Sequence, residues 1–180
     1  LNLEYQTASS GGHASAPKKH TPVGILAKAC CKVESHPFPA HITKPVAEMF
    51  DILGRHSSFM YRLIFANLWC FRGLLDILCK KSGGELNALM RTTVAFTQME
   101  GSKAANVIPP TASMISNIRL NPQDTIDGVM QYITKTIDDD RVTLKSVHGM
   151  NPSRISKTGC QAWNKVAFAV AGTWQGCLVA

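Results

Sequence analysis

The apolar positions of this chain follow two periods, and the switches between them mark the elements. Over residues 2–9 they alternate, with Leu3, Tyr5 and Thr7 on one side, which predicts a strand buried on that face. From Thr21 the period lengthens, and Ile25, Leu26, Ala29, Cys30 and Val33 recur at helical spacing. Thr21 is placed to cap this helix, Pro22 to fill its first position, and Pro37 and Pro39 to stop it. Two further helices are predicted within 42–56 and 59–81. The second carries Leu63, Ile64, Leu68, Phe71, Leu75 and Leu78 but is interrupted by Arg62, Asn67, Arg72 and Asp76. A membrane span needs about 20 mostly apolar residues, so this stretch reads as a buried or interface helix. The turn residues of KKSGGE close it.

Strand character returns in RTTVAFTQME, followed by a turn at Gly101-Ser102. Two more extended stretches, ANVIP and TASMISNIRL, are separated by Pro109-Pro110. A helix opened by Asn121, Pro122 and Asp124 carries Ile126, Val129, Met130, Ile133 and Ile137, and Val142, Leu144 and Val147 then alternate as a strand. With the helices of the middle section set aside, the order is βαββαβ. That order predicts an α+β, ferredoxin-like domain: a four-stranded antiparallel sheet with two helices on one face, plus a helical insertion. The expected boundaries are residues 1–150 for this domain, with the insertion at about 40–82. Residues 151–180 fall outside the pattern; they read as a linker, a helix over CQAWNKVAFAVAGTWQ and the start of a strand at GCLVA. The chain opens at Leu1 in strand-like sequence and stops in an apolar run, so it reads as an excised segment.

Charge changes this picture little. The net charge of +7 invites a nucleic-acid partner, but the basic residues are scattered. Only Lys18-Lys19 and Lys80-Lys81 form tight pairs, and no aromatic ladder accompanies them. Six cysteines show no C-x-x-C spacing and sit mostly in apolar, helix-like stretches, as small buried hydrophobes do. A reducing compartment, hence a cytoplasmic location, is the expectation.

Three polar residues hold unusual positions. His13 follows two glycines on the first turn, Asn106 opens NVIPP, and Arg119 sits near the end of the strand TASMISNIRL. Parity places Ala112, Met114, Ser116, Ile118 and Leu120 on one face of that strand and Ser113, Ile115, Asn117 and Arg119 on the other. Arg119 therefore projects from the open face, where a guanidinium fork suits a carboxylate. The six histidines form neither H-x3-H nor H-E-x-x-H, and no cysteine stands at ligand spacing, so no metal site is expected within the chain.

The strings GGHASAP, ANLW, NALMRTT and NVIPP, with the strand that ends at Arg119, resemble one family. It is the lid, or dimerisation, domain of the dizinc metallopeptidases that include aminoacylase, carboxypeptidase G, succinyl-diaminopimelate desuccinylase and carboxypeptidase S, with the last branch the best match. The resemblance spans nearly all of residues 1–150. It implies a zinc-dependent amidohydrolase or exopeptidase acting on N-acyl amino acids or small peptides. On that resemblance His13 stabilises the oxyanion, commonly in the partner subunit's site, while Asn106 and Arg119 hold the substrate, Arg119 through its carboxylate. It also implies two zinc ions in the full-length enzyme with none held here, a homodimer formed through the lid, and a catalytic domain re-entered at residues 151–180. The segment alone would be inactive. Two positions depart from the family pattern: Gln123 stands in P-Q-D where P-G-D is common, and Ala14 where serine is frequent. The residues by themselves leave two other classes open. One is a stand-alone regulatory or nucleic-acid-binding module on the same scaffold, and the other is a membrane-surface role for the Phe59–Cys79 stretch.

Overall fold

The computed structural model describes residues 1–82 and 84–179. It divides into two compact units, Leu1–Pro39 with Thr92–Pro152, and Ala40–Arg91 with the residues from Ser153 onward.

The first unit is built on a four-stranded antiparallel sheet. Its strands are β1 (Asn2–Ala8), β3 (Thr93–Glu100), β5 (Thr111–Arg119) and β6 (Thr143–His148), in the order β3-β5-β1-β6. A separate two-stranded ladder joins β2 (Gly12–His13) to β4 (Val107–Ile108). Helices α1 (Pro22–Ser35) and α6 (Ile126–Ile137) lie on one face of the sheet, giving the ferredoxin-like architecture. The predicted parity holds. Leu3, Tyr5 and Thr7 are buried on β1, as are Ala112, Met114, Ser116 and Ile118 on β5. Against them pack Leu26, Ala29 and Val33 of α1 and Val129, Ile133 and Ile137 of α6. Each large apolar side chain buried this way contributes about 1.5–3 kcal/mol, enough to outweigh weak local preferences. Two polar groups enter this core as a pair: Tyr5 Oη and Ser116 Oγ lie 3.0 Å apart.

The capping expected at Thr21 is present, its side chain accepting from Gly24 N–H at 3.2 Å. The second helix starts later than its sequence signals place it. Thr125 is the N-cap, and Asn121 instead folds back on itself, its Oδ1 accepting from Gln123 N–H at 3.1 Å. Thr92 Oγ1 ties this turn down by accepting from Asn121 N–H at 2.8 Å and donating to Asp124 Oδ2 at 2.5 Å. Among the described residues Asp138, at the end of α6, is the only non-glycine with positive φ. Gln123 therefore needs no glycine-like backbone, and the turn tolerates the departure from P-G-D.

The second unit holds α2 (Lys44–Arg55), α3 (Phe59–Ala66), α4 (Leu68–Ser82), α5 (Gly84–Met90) and α7 (Gln161–Thr173). The single helix expected over 59–81 is two helices, broken at Asn67. There the side-chain Nδ2 donates to Leu63 O at 2.9 Å and the backbone leaves helical geometry, at φ −124° and ψ 44°. A short amide side chain competing for backbone groups is a known helix breaker. At KKSGGE α4 ends at Ser82 and a separate helix, α5, opens at Gly84, whose φ of +57° is the left-handed backbone expected of a turn glycine; Gly83 lies outside the described residues. Cys177, Leu178 and Val179 are not in a strand, contrary to the expectation for GCLVA; Ala180 lies outside the described residues. A small core forms from Val46, Phe50, Leu75, Cys79 and Met90. The Arg91 side chain is 1% exposed and is ion-paired to Asp76, which Lys80 also approaches at 2.9 Å. Burial alone would push the Asp76 carboxyl up; the hydrogen bonds from Lys80 and Arg91 outweigh it and hold the pKa below the usual range. Among the described residues no helix is long and apolar enough to cross a membrane.

Candidate functional site

β1 ends at Ala8, paired with Thr111 of β5. Beyond it the same two segments separate and pair again, Gly12 with Ile108 and His13 with Val107. Pro109 and Pro110 interrupt the ladder, since a proline offers no N–H. Ser9 stitches the gap: its N–H donates to Pro110 O at 2.6 Å, and its hydroxyl accepts from Gly11 N–H at 3.0 Å. Gly11 takes φ +64°, and a Cβ there would stand 3.2 Å from Ile108 O. This is the one position of the hairpin where a side chain would meet both a left-handed backbone and a crowded carbonyl.

The geometry brings His13 and Asn106 together. The N–H of Ala14 donates to Asn106 O at 2.9 Å, so His13 at the end of β2 and Asn106 in the turn just before β4 share one exposed two-stranded arm, a hairpin in shape whose strands are far apart in sequence. The imidazole is held from behind. Ser15 N–H donates to His13 Nδ1 at 3.2 Å, and Ser15 Oγ lies 2.8 Å from the same atom. Ser15 is the residue that sequence reasoning missed. Its one available signal was its place two residues after a side chain able to accept in a tight turn. Ala14, the departure from the family pattern, contributes its backbone to the hairpin.

Arg119 is exposed on the open face of the sheet, as parity predicts. It is not beside the other two. It pairs with Thr93 at the far end of β5, and at about 3.3 Å per residue it lies roughly 26 Å along the strand from Thr111, where the hairpin departs. Within one chain the three predicted residues thus form a pair and a separate third. A shallow cleft of about 490 Å³ opens at the hairpin end of the sheet, lined by Gln6, Thr7, Glu100, Ser113 and Arg141 among others. None of the three residues lines it. Among the described residues no group of three or more His, Cys, Asp or Glu is placed to hold a metal ion.

A ferredoxin-like α+β domain carrying a polar hairpin off one end of its sheet is the class that this geometry defines. The chain belongs to the M20 peptidase dimerisation-domain family, whose model matches residues 5–143. It is 31% identical to the probable carboxypeptidase S-like 2 of Dictyostelium discoideum, over 100% of this chain and 34% of that protein. It is 34% identical to the N-fatty-acyl-amino acid synthase/hydrolase PM20D1 of Mus musculus, over 90% of the chain and 32% of that protein. The chain thus spans about a third of the length of the curated relatives it matches. Among solved structures it resembles human carnosine dipeptidase 1, with a TM-score of 0.55 and 11% identity, covering 94% of this chain and 40% of that one. An M20 family metallo-carboxypeptidase from Sulfolobus solfataricus matches with a TM-score of 0.50 and 16% identity, over 95% and 48% of the two chains. At such identities the structural likeness speaks for the fold alone.

Proposed function

We propose that these residues form the lid and dimerisation domain of a zinc-dependent hydrolase that cleaves the amide bond of N-acyl amino acids or small peptides bearing a free carboxylate. The family membership and the names of the relatives support the class of reaction. Among the described residues no cluster is placed to hold a metal ion; on this reading the zinc ions sit in a catalytic domain that residues 151–180 begin to re-enter.

The lid supplies three groups to the substrate. His13 presents a ring N–H to the carbonyl oxygen as negative charge gathers there, a contribution of about 10²–10³ in rate for one preorganised donor. Asn106, its neighbour on the hairpin, adds amide hydrogen bonds. Arg119 grips the substrate carboxylate through paired, charge-assisted hydrogen bonds.

The observation that carries this reading is the separation of Arg119 from the hairpin. A small substrate does not bridge the length of β5, so one chain cannot offer both His13 and Arg119 to one molecule. Two copies can, if the hairpin of one reaches the site that holds Arg119 of the other. The free edges of the sheet support such a pairing. β6 is short and carries Lys145 at its centre, a common guard of an exposed edge; β3 is longer, with no Lys, Arg or Pro. α1 packs over β5, β1 and β3 and exposes Gly24, Ala27 and Cys31, small residues that allow a second helix to approach. A second copy joined along β3 would extend the sheet across the two-fold axis.

Kinetics of the full-length enzyme test this. His13→Ala should lower kcat by about 10²–10³ with little change in KM; an unchanged kcat removes His13 from the chemistry. Mixing His13→Ala subunits with Arg119→Ala subunits should regenerate activity, because one site of each mixed dimer is then intact. Absence of any recovery would overturn the sharing of the site.

A further inference from the structure

We infer that Ser15 is a positioning residue that fixes the tautomer of His13, holding the imidazole proton on Nε2. The inference rests, for its catalytic meaning, on the reading of His13 as an oxyanion donor; the tautomer itself does not.

The argument starts from the backbone. His13, Ala14, Ser15 and Ala16 form a closed turn, with Ala16 N–H donating to His13 O at 3.1 Å. In that turn the third residue aims its own N–H at the side chain of the first, the arrangement usually made by Asn or Asp. Here the acceptor is His13 Nδ1, 3.2 Å from Ser15 N. A backbone amide only donates, so Nδ1 must offer its lone pair. A neutral imidazole carries one ring hydrogen, and with Nδ1 accepting, that hydrogen sits on Nε2. The Ser15 hydroxyl, 2.8 Å from Nδ1, is then also a donor to it. Each alternative assignment costs a contact, because moving the proton to Nδ1 sets an N–H against an N–H.

Ser15 holds the Nδ1 side, and Nε2 has no hydrogen-bond partner among the described residues. The ring therefore offers outward a donor rather than a lone pair. For a group meant to meet an anionic oxygen this decides the sign of the interaction, since the other tautomer would repel the charge it should stabilise. The β2–β4 pairing of His13 with Val107 fixes the backbone from which both groups project, so hairpin and turn together orient the ring.

The test is an imidazole 15N–1H correlation spectrum of the full-length protein labelled at histidine, recorded in alkaline buffer where the rings are neutral. The His13 signals are assigned by their loss in His13→Gln. Wild type should show a pyridine-like Nδ1 and a pyrrole-like, protonated Nε2. Ser15→Thr, which keeps both donors, should retain that signature and wild-type kcat. Ser15→Pro removes the amide donor and the hydroxyl; it should shift both nitrogens toward averaged values and lower kcat about 30-fold at unchanged KM, about fivefold for each of two ordinary hydrogen bonds. Ser15→Ala keeps the amide and should lie between the two, which covers a proline variant that fails to fold. A pyrrole-like Nδ1 in the wild type, or an Nδ1 signal indifferent to both Ser15→Pro and Ser15→Ala, overturns the inference. The expected tautomer together with a wild-type kcat for His13→Ala would leave Ser15 in its place and remove the proposed catalytic role instead.

Discussion

Tyr5→Phe removes the phenol hydroxyl that lies 3.0 Å from Ser116 Oγ, in a layer where both residues are 0% exposed. The orphaned serine hydroxyl then costs about 1–3 kcal/mol in lost hydration. Ser116→Ala should cost a similar amount by orphaning the phenol. The double variant leaves no orphan, so its cost should fall well short of the two singles added. A second signature comes from pH. Burial pushes the Tyr5 phenol up to about 12 from 10.0, against the opposing hydrogen bond from Ser116. The folded chain thus keeps a proton that the unfolded chain releases. The corresponding stability is fully present below the unfolded value and is lost as pH climbs through the folded one. A gap of about two units is worth roughly 3 kcal/mol. Urea unfolding followed by circular dichroism, from about pH 9 to 12, should show a steeper loss in wild type than in Tyr5→Phe. Parallel pH profiles, or an additive cycle, would refute the account of this core. The pair lies on the two strands that lead to the proposed site, since β1 runs toward the His13 hairpin and β5 carries Arg119.

Other expectations follow from single contacts. Arg119→Ala in the full-length enzyme should raise KM for carboxylate-bearing substrates by about 10- to 150-fold, the equivalent of a charged hydrogen bond; equal loss on an uncharged analogue would contradict a carboxylate grip. Gly11→Ala forces a side chain into a backbone at φ +64° and should cost about 1–2 kcal/mol in a denaturant titration, with activity falling alongside. Asp76→Asn deprives Arg91 of its carboxylate and should destabilise the helical unit by up to about 3 kcal/mol, at the low end for a buried pair because Asp76 is partly exposed. Since the Asp76 pKa is lowered on folding, the stability it brings is present above the ordinary carboxylate range and lost as pH falls through the lowered value. Acid melts of wild type and Asp76→Asn should therefore converge.

Periodicity made one layer of this molecule legible in advance. Alternation in β1 and β5 named the residues that face the helices, Thr21 and Pro22 marked where α1 begins, and the order βαββαβ implied the sheet. These signals are local, carried by neighbours within a turn or a pleat, so they survive in a linear reading. The roles of His13, Asn106 and Arg119 rest on the family resemblance and belong to the proposed function. Other features were absent from any window of sequence. Strands of two residues, as in β2 and β4, are too short to show a period, so the hairpin that joins His13 to Asn106 exists only through long-range register. The break at Asn67 came from a side chain bonding Leu63 O, in a segment whose apolar residues recur on both sides of it. The turn that seats Ser15 against the imidazole depended on backbone angles set by the hairpin. The distance between Arg119 and the hairpin followed from the direction and length of β5, which strand pairing imposes. Faces and ends are written in the order of residues; partners across a ladder are chosen by the burial of the whole domain, and only folding reveals them.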